Sequence, residues 1–276
     1  MPRPRPILIL TGAGISAESG IATFRGADGL WEGHRIEDVA SPAGFKRNPS
    51  VVHRFYNERR AQLLDPVVQP NAAHRAIVTL ARGWPAPVRV ITQNVDDLHE
   101  RAGLVAIDDG TGEPQGAGIG AVLHMHGELR KVRHARTGRV QPWDGPCDES
   151  TVDPTSGEIG VLRPHIVWFG EAILGAGIIE AWLRDCGLFI SIGTQGAVWP
   201  AAGFVREARE RAGARCIEFN LHATEISGDF DTTVLGKAGE TLPPWVDRFL
   251  ASSGSEARQE KETRALPIAR RASPER

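Results

Sequence analysis

Ile7-Leu8-Ile9-Leu10-Thr11-Gly12-Ala13-Gly14-Ile15-Ser16-Ala17 decides the fold. Four apolar residues in a row, closed by Thr and Gly, read as a strand buried on both faces. The strand opens into G-x-G-x-x-A, which predicts a tight turn followed by a helix. Glycine lets the backbone approach a diphosphate, and a helix N-terminus there supplies amide donors and a favourable dipole. A plain glycine-rich turn fits the same short pattern. A dehydrogenase of the usual layout adds a second strand and an acidic residue ~20 positions on. Here that distance falls at Trp31-Glu32-Gly33-His34, with no strand reading before it.

Three further runs resemble the first. Val88-Arg89-Val90-Ile91 leads into Thr92-Gln93-Asn94, Leu188-Phe189-Ile190-Ser191-Ile192 into Gly193-Thr194, and Cys216-Ile217-Glu218-Phe219 into Asn220. Helical stretches are read at 50–64, 71–82 and 200–212. Strands alternating with helices predict an α/β fold, a doubly wound parallel sheet whose ligands sit at the carboxyl ends of the strands. The reading assigns residues 1–30, 71–126 and 171–251 to this dinucleotide-binding domain. Residues 31–70 read as a helical insertion and 127–170 as a small module rich in Pro, Gly and Arg. The glycines between 104 and 121 read as a flexible surface loop. Residues 252–276, with few apolar anchors, read as a disordered tail.

The 276 residues are 41% hydrophobic and 24% charged, an ordinary globular composition. The 32 Lys+Arg nearly balance 34 Asp+Glu, which argues against a nucleic-acid partner bound through phosphate neutralisation. No apolar run approaches the ~20 residues that span a bilayer, and no signal-peptide pattern is read at the N-terminus. Cys147, Cys186 and Cys216 make no C-x-x-C pair, which fits a reducing cytoplasm.

At this point the motifs become specific. Gly12 through Ile21, followed by Phe24-Arg25, resembles the opening motif of the sirtuins. Gln93-Asn94-Val95-Asp96 looks like their second motif, and His124-Met125-His126-Gly127-Glu128-Leu129 like the segment with their catalytic histidine. Val167-Trp168-Phe169-Gly170-Glu171 resembles their substrate-binding strand. Gly193-Thr194, Pro200-Ala201-Ala202 and Asn220-Leu221 match later nucleotide-binding stretches. Several ordered motifs over roughly residues 7–250 are far more specific than one glycine pattern.

The resemblance implies a Rossmann-like large domain with a small module inserted in it, and NAD-dependent removal of acyl groups from protein lysines, giving nicotinamide and O-acyl-ADP-ribose. It implies His126 as general base, with Asn94 and Asp96 at the nicotinamide ribose. Cofactor contacts carry over to Gly12, Ala13, Gly14, Ser16, Ala17, Glu18, Phe24, Arg25, Gln93, Asn94, Val95, Asp96, Gly193, Thr194, Gln195, Asn220, Leu221, His222 and Ala238. Substrate contacts carry over to Val167, Trp168, Phe169, Gly170 and Glu171. The residue types suit these roles independently. A histidine titrates near neutrality, Asn94 can hold a hydroxyl or cap a strand end, and Asp96 can accept from an amide or cap a helix.

Tyr56 and Arg59 are three apart and share a helical face. In the branch of the family that removes acidic acyl groups, such a pair lines the acyl pocket, where a guanidinium and a phenol can bind a carboxylate. The chain departs from the family in its small module, which is usually held by zinc on two Cys-x-x-Cys pairs. His134 stands eight residues after His126, where a first cysteine is expected. Only Cys147, Asp148, Asp153 and Glu158 remain as further ligands, without the usual spacing, so no metal is assigned. Gln195 stands where Ser is common. The expected partners are acylated-lysine proteins, with neither nucleic acid nor membrane. Two alternatives stay open: a mono-ADP-ribosyltransferase, and a module that binds NAD or ADP-ribose without turnover.

Overall fold

The run Ile7–Thr11 is the central strand of a seven-stranded parallel sheet. The computed structural model describes residues 3–22, 30–31, 33–116 and 118–265, with backbone only at 30, 31 and 254–265. The first half of the chain gives β1 (Ile7–Thr11), β2 (Leu30–Trp31), β3 (His34–Arg35), α1 (Ile36–Val39), α2 (Pro42–Arg47), α3 (Pro49–Leu63) and α4 (Ala72–Gly83). Then come β4 (Val88–Thr92), α5 (Leu98–Ala102), β5 (Leu104–Ala106), β6 (Ile119–His124), β7 (Gly127–His134), β8 (Val140–Pro142) and β9 (Leu162–Ile166). The chain continues with α6 (Ala176–Asp185), β10 (Leu188–Ile192), α7 (Phe204–Ala212), β11 (Arg215–Asn220), β12 (Thr232–Leu235) and α8 (Ala238–Ala265).

The sheet order is β12-β11-β10-β1-β4-β6-β5. Ile9 pairs with Ile190 on one side and Val90 on the other. Side chains alternate along a strand, so β1 feeds two cores. Ile7 and Ile9 pack with α4 and α8, and Leu8 and Leu10 with α6 and α7. That alternation explains why the strand is apolar from Ile7 to Leu10.

Three expectations are corrected. The segment 104–121 is not one surface loop, because β5 and β6 flank a shorter turn and both join the sheet. Gly118 and Gly120 hid β6 from a composition reading. Within 31–70 a two-residue pairing, Leu30 with Arg35 and Trp31 with His34, precedes the helices. Finally, α8 runs past Ser252 to Ala265. Ala, Glu, Arg, Gln and Lys are good helix formers, and the helix is anchored upstream by Trp245, Phe249 and Leu250 against the core. Among the described residues no helix is long and apolar enough to cross a membrane.

The small module is a three-stranded antiparallel sheet, β8-β7-β9. It is joined to α3 by a reciprocal amide pair. Cys147 N donates to Asn57 Oδ1 at 3.0 Å, and Asn57 Nδ2 donates to Cys147 O at 2.9 Å. Arg60, buried on α3, adds Nε to Leu129 O at 2.7 Å. The residues considered as zinc ligands are engaged elsewhere. His134 Nε2 meets Glu158 at 2.9 Å, and its Nδ1 accepts from Arg136 N and Thr137 N. Asp153 accepts from Thr155 N, Ser156 Oγ and Arg139. Cys147 packs instead with Val132, Leu162 and Trp143. Among the described residues no three His, Cys, Asp or Glu converge to hold a metal ion. The donor set does not fit zinc.

Elemental analysis of the purified protein is therefore expected to find far less than one zinc per chain, with chelator leaving the melting temperature unchanged. Asp153→Ala should lower that temperature, since its partners would lose one shared acceptor. One zinc per chain would contradict this account of the module.

Candidate active site

The carboxyl ends of β1, β4, β10 and β11 surround a cavity of about 860 Å³. Its floor is a close contact between two turns. A Cβ on Gly14 would lie 2.7 Å from Gly193 Cα, and one on Gly12 2.8 Å from Gly193 O. Gly14 N donates to Gly193 O at 2.9 Å. The helix expected after Gly14 is absent. Two short 3-10 turns, Ala13–Ile15 and Ala17–Ser19, take its place and stop at Gly20, φ 86°. Glycines at 14 and 20 leave too little helix-forming chain between them. Asn71, the N-cap of α4, fixes these turns by donating Nδ2 to Ile15 O and Ser19 Oγ. The helix N-terminus at the cavity is that of α8, where Gly239 N donates to Glu18 Oε2 at 2.8 Å.

The loop after β4 is held residue by residue. Gln93 N donates to Thr11 O, Asn94 N to Thr92 Oγ1, and Leu129 N to Val95 O. Gln93 Nε2 reaches Thr194 Oγ1 at 2.9 Å, bridging two motifs 101 positions apart. Asn94 Nδ2 donates to Ser16 Oγ at 3.0 Å, and Ser16 Oγ donates to Asp96 Oδ2 at 2.9 Å. Asp96 Oδ1 also accepts from Leu98 N at 3.1 Å while lining the cavity, although the N-cap of α5 is Asp97 and not Asp96. Burial raises the Asp96 carboxyl to about 6, against the lowering effect of its hydrogen bonds.

His126 stands at the turn between β6 and β7. Gly127 follows at φ 84°, and a Cβ there would sit 2.0 Å from His165 O. Only glycine permits that turn. His126 Nδ1 lies 3.1 Å from Gln93 O. A carbonyl only accepts, so Nδ1 carries the hydrogen and Nε2 keeps the lone pair in the neutral ring. Burial lowers the His126 pKa, with the Gln93 carbonyl opposing it. The ring is thus a neutral base at the cavity near pH 7.

The opposite wall is Val167–Glu171. Val167 N donates to His126 O and Phe169 N to Ala40 O. Glu171 receives Trp168 N and both terminal nitrogens of Arg163, and the Arg163 guanidinium stacks 3.6 Å over Trp168. Trp168 Nε1 donates to the buried hydroxyl of Tyr56 at 3.1 Å.

The expected residues Gly12, Ala13, Gly14, Ser16, Ala17, Glu18, Gln93, Asn94, Val95, Asp96 and His126 all line this cavity. So do Tyr56, Val167, Trp168, Phe169, Gly170, Glu171, Gly193, Thr194, Gln195, Asn220, Leu221, His222 and Ala238. Arg59 is not in the lining. It lies beyond Tyr56 on α3, 3.9 Å over the Phe55 ring, donating to Phe55 O and Glu58. Phe24 and Arg25 fall outside the described residues. Trp199, Thr224 and Lys237 also line the cavity and were missed. Trp199 stood beside a matched stretch, but a lone aromatic before proline carries no signal for a site. The volume suits a dinucleotide, and the lining offers the uncharged donors Ser16, Gln93, Asn94, Thr194 and Asn220.

The sequence model described as "Sir2 family" matches residues 12–200. A protein of Pasteurella multocida (strain Pm70) named NAD-dependent protein deacylase is 48% identical over 244 residues, covering 88% of this chain and 97% of its own. A protein of Trypanosoma brucei brucei, also named as an NAD-dependent protein deacylase, is 47% identical over 267 residues, covering 93% and 100%. A solved complex of a Sir2 homologue with NAD has a TM-score of 0.74 at 34% identity, covering 90% of each chain. A Sir2 protein bound to a myristoylated histone peptide has a TM-score of 0.67 at 31% identity, covering 92% of this chain and 94% of that one.

Asp96 yields a test that needs no ligand. Its folded-state pKa of about 6 lies above the ordinary 3.8, so the fold favours the protonated form. Ionisation then costs stability fully above pH 6 and not at all well below 3.8. Asp96→Asn should raise the melting temperature at pH 8, with a smaller gain at pH 5. A gain that grows toward acid would contradict the burial assigned to this carboxyl.

Proposed function

The chain belongs to the Sir2 family, and from that premise we propose that it is an NAD-dependent protein-lysine deacylase acting on acetyl and succinyl-like groups. One observation carries the reading: the glycine turns, the Gln93–Asp96 loop, His126 and the Val167–Glu171 segment that follows β9 converge on one cavity. When bound, NAD supplies the ribose carbon that takes the acyl oxygen and the nicotinamide that leaves.

The chain's residues divide the work. Gly12–Ala17 and Gly193–Thr194 form the diphosphate side of the cavity. Asn94 and Asp96, tied together through Ser16, hold the nicotinamide ribose side. His126 Nε2 removes a proton from a ribose hydroxyl, and the Gln93 carbonyl keeps its tautomer fixed. Val167–Glu171 lies beside the acyl-lysine peptide, the main partner of the reaction. Its backbone is kept in place by Glu171 and by the bonds of Val167 and Phe169. The three buried free thiols support a reducing cytoplasm as its compartment.

Tyr56, which lines the cavity, and Arg59, which lies behind it over Phe55, set the acyl preference, Arg59 by its charge beneath that wall. The Tyr56 hydroxyl is at the cavity and is oriented by Trp168. Arg59, one turn away with a side chain 14% exposed, is the nearby guanidinium on the same helix. A succinyl carboxylate must leave water to enter the acyl channel, which is costly without a fixed positive charge.

His126→Ala should abolish turnover while leaving NAD binding largely intact, measured by nicotinamide release and by calorimetry. Loss of NAD binding in step with turnover would show a folding role instead. For Arg59→Met, losing a hydrogen bond to a charged group costs ~1.5–3 kcal/mol, roughly 10- to 150-fold. The kcat/KM for a succinyl-lysine peptide should fall at least about tenfold, with the acetyl form of the same peptide spared. Parallel loss of both substrates would reject the acidic-acyl reading. ADP-ribose left on protein would favour transfer over deacylation.

A further inference from the structure

Two adjacent carbonyls of the Gln93–Asp96 loop are gripped by two histidines. His126 takes Gln93 O, as described. His124, at the end of β6, places Nδ1 3.2 Å from Asn94 O. Its Nε2 lies 2.9 Å from Glu100 Oε1 on α5. The strand ends at His124 and the chain turns before Gly127, so the two rings reach neighbouring acceptors from different directions.

We propose that His124 and Glu100 form a buried imidazolium–carboxylate pair that positions the Gln93–Asp96 loop, and with it Asn94 and Asp96, for the reaction at His126. The inference rests on the deacylase reading for the meaning of that loop. Its chemistry is local. Each nitrogen of His124 faces an acceptor, a carbonyl on one side and a carboxylate on the other. Both contacts are satisfied only when both nitrogens carry hydrogen. His124 is 6% exposed, so a charge there needs a partner. Glu100 Oε2 is buried with no hydrogen-bond partner among the described residues. The hydrogen bond from His124 is thus the one that answers this carboxylate's charge there.

The neighbouring groups agree. Burial alone would lower the His124 pKa, but the charge and hydrogen bond of Glu100, with Glu128 adding from β7, raise it to about 9. Burial pushes Glu100 up, yet His124 outweighs it and holds the carboxyl below its usual range. Asp96 in the loop adds a further negative group near His124. His99 on α5 and His165 on β9 are kept neutral by burial, each lowered to about 3. Neither competes for the carboxylate. Because the His124 pKa is raised and that of Glu100 lowered, the pair's contribution is complete between pH 4.5 and 6.5, is lost as pH rises through about 9, and is lost again in acid as Glu100 takes a proton. The same motif therefore holds two histidines in opposite states. His126 stays neutral to act as a base, and His124 stays charged to hold the loop.

His124 and Glu100 are positioning residues, since neither lines the cavity. The test combines ring-nitrogen NMR with kinetics on the full chain and Glu100→Gln, which keeps the shape and removes the charge. At pH 7.5 the wild-type His124 should show both nitrogens protonated and His126 one. In Glu100→Gln, His124 should become neutral. The kcat on an acetyl-lysine peptide should fall by about three- to tenfold with its KM within about twofold, the pattern of misplaced chemistry rather than lost binding. The melting temperature separates this from unfolding. If Glu100→Gln does not fold, Glu100→Asp, which keeps the charge at a shorter reach, takes its place and should show a smaller kcat loss with His124 still charged. A neutral His124 in the wild type, or unchanged kcat in the folded variant, overturns the proposal. A wild-type protein without NAD-dependent turnover would instead defeat the deacylase reading, and the NMR result would still decide the pair.

Discussion

The contact between Gly14 and Gly193 is the constraint on which the rest of the site depends. Side chains on adjacent parallel strands keep neighbouring turns apart, but these two turns touch through bare backbone. Their contact brings the ends of β1 and β10 together and closes the floor of the cavity. Gln93 then spans from the β4 side to Thr194, so a third strand end is tied to the same point. A methyl group at Gly14 would meet backbone, which has no rotamer to give way. The nucleotide wall is thus a property of the sheet rather than of a mobile loop.

The polar groups around this floor are organised by burial. Thr11 and Thr92 join hydroxyls beneath the loop at 2.9 Å, and the neutral His99 meets Thr11 at 3.0 Å. Above them Ser16 links Asn94 to Asp96. Asn94, Ser16 and Asp96 therefore each have a defined donor or acceptor role beside the cavity. The small module achieves order by a different route. Carboxylates at 153 and 158 collect hydroxyl, amide, imidazole and guanidinium donors.

Much of this was legible because buried parallel strands leave a strong trace. The runs at 7–10, 88–91, 188–192 and 216–219 are mostly apolar, broken only by Arg89, Ser191 and Glu218, and each ends at a cavity-lining turn. The remaining strands were hidden for physical reasons. β6 carries Gly120 with φ 70°, and β12 is an edge strand of two threonines, Val and Leu with little burial. The turns after β1 read as a helix because the pattern matches one, but the glycines leave only 3-10 geometry. At the site, Trp199, Thr224 and Lys237 were illegible because only folding brings them to the rim. The His124–Glu100 pair was illegible too, since a helix residue and a strand end 24 positions apart share no spacing rule.

This one cavity joins a dinucleotide to an acyl-lysine and passes the acyl group between them. Mass spectrometry of the products from NAD and an acetyl-lysine peptide tests it most directly. The account expects free lysine peptide, nicotinamide and O-acetyl-ADP-ribose in equal amounts. Peptide deacetylated to free acetate without consumption of NAD would contradict it.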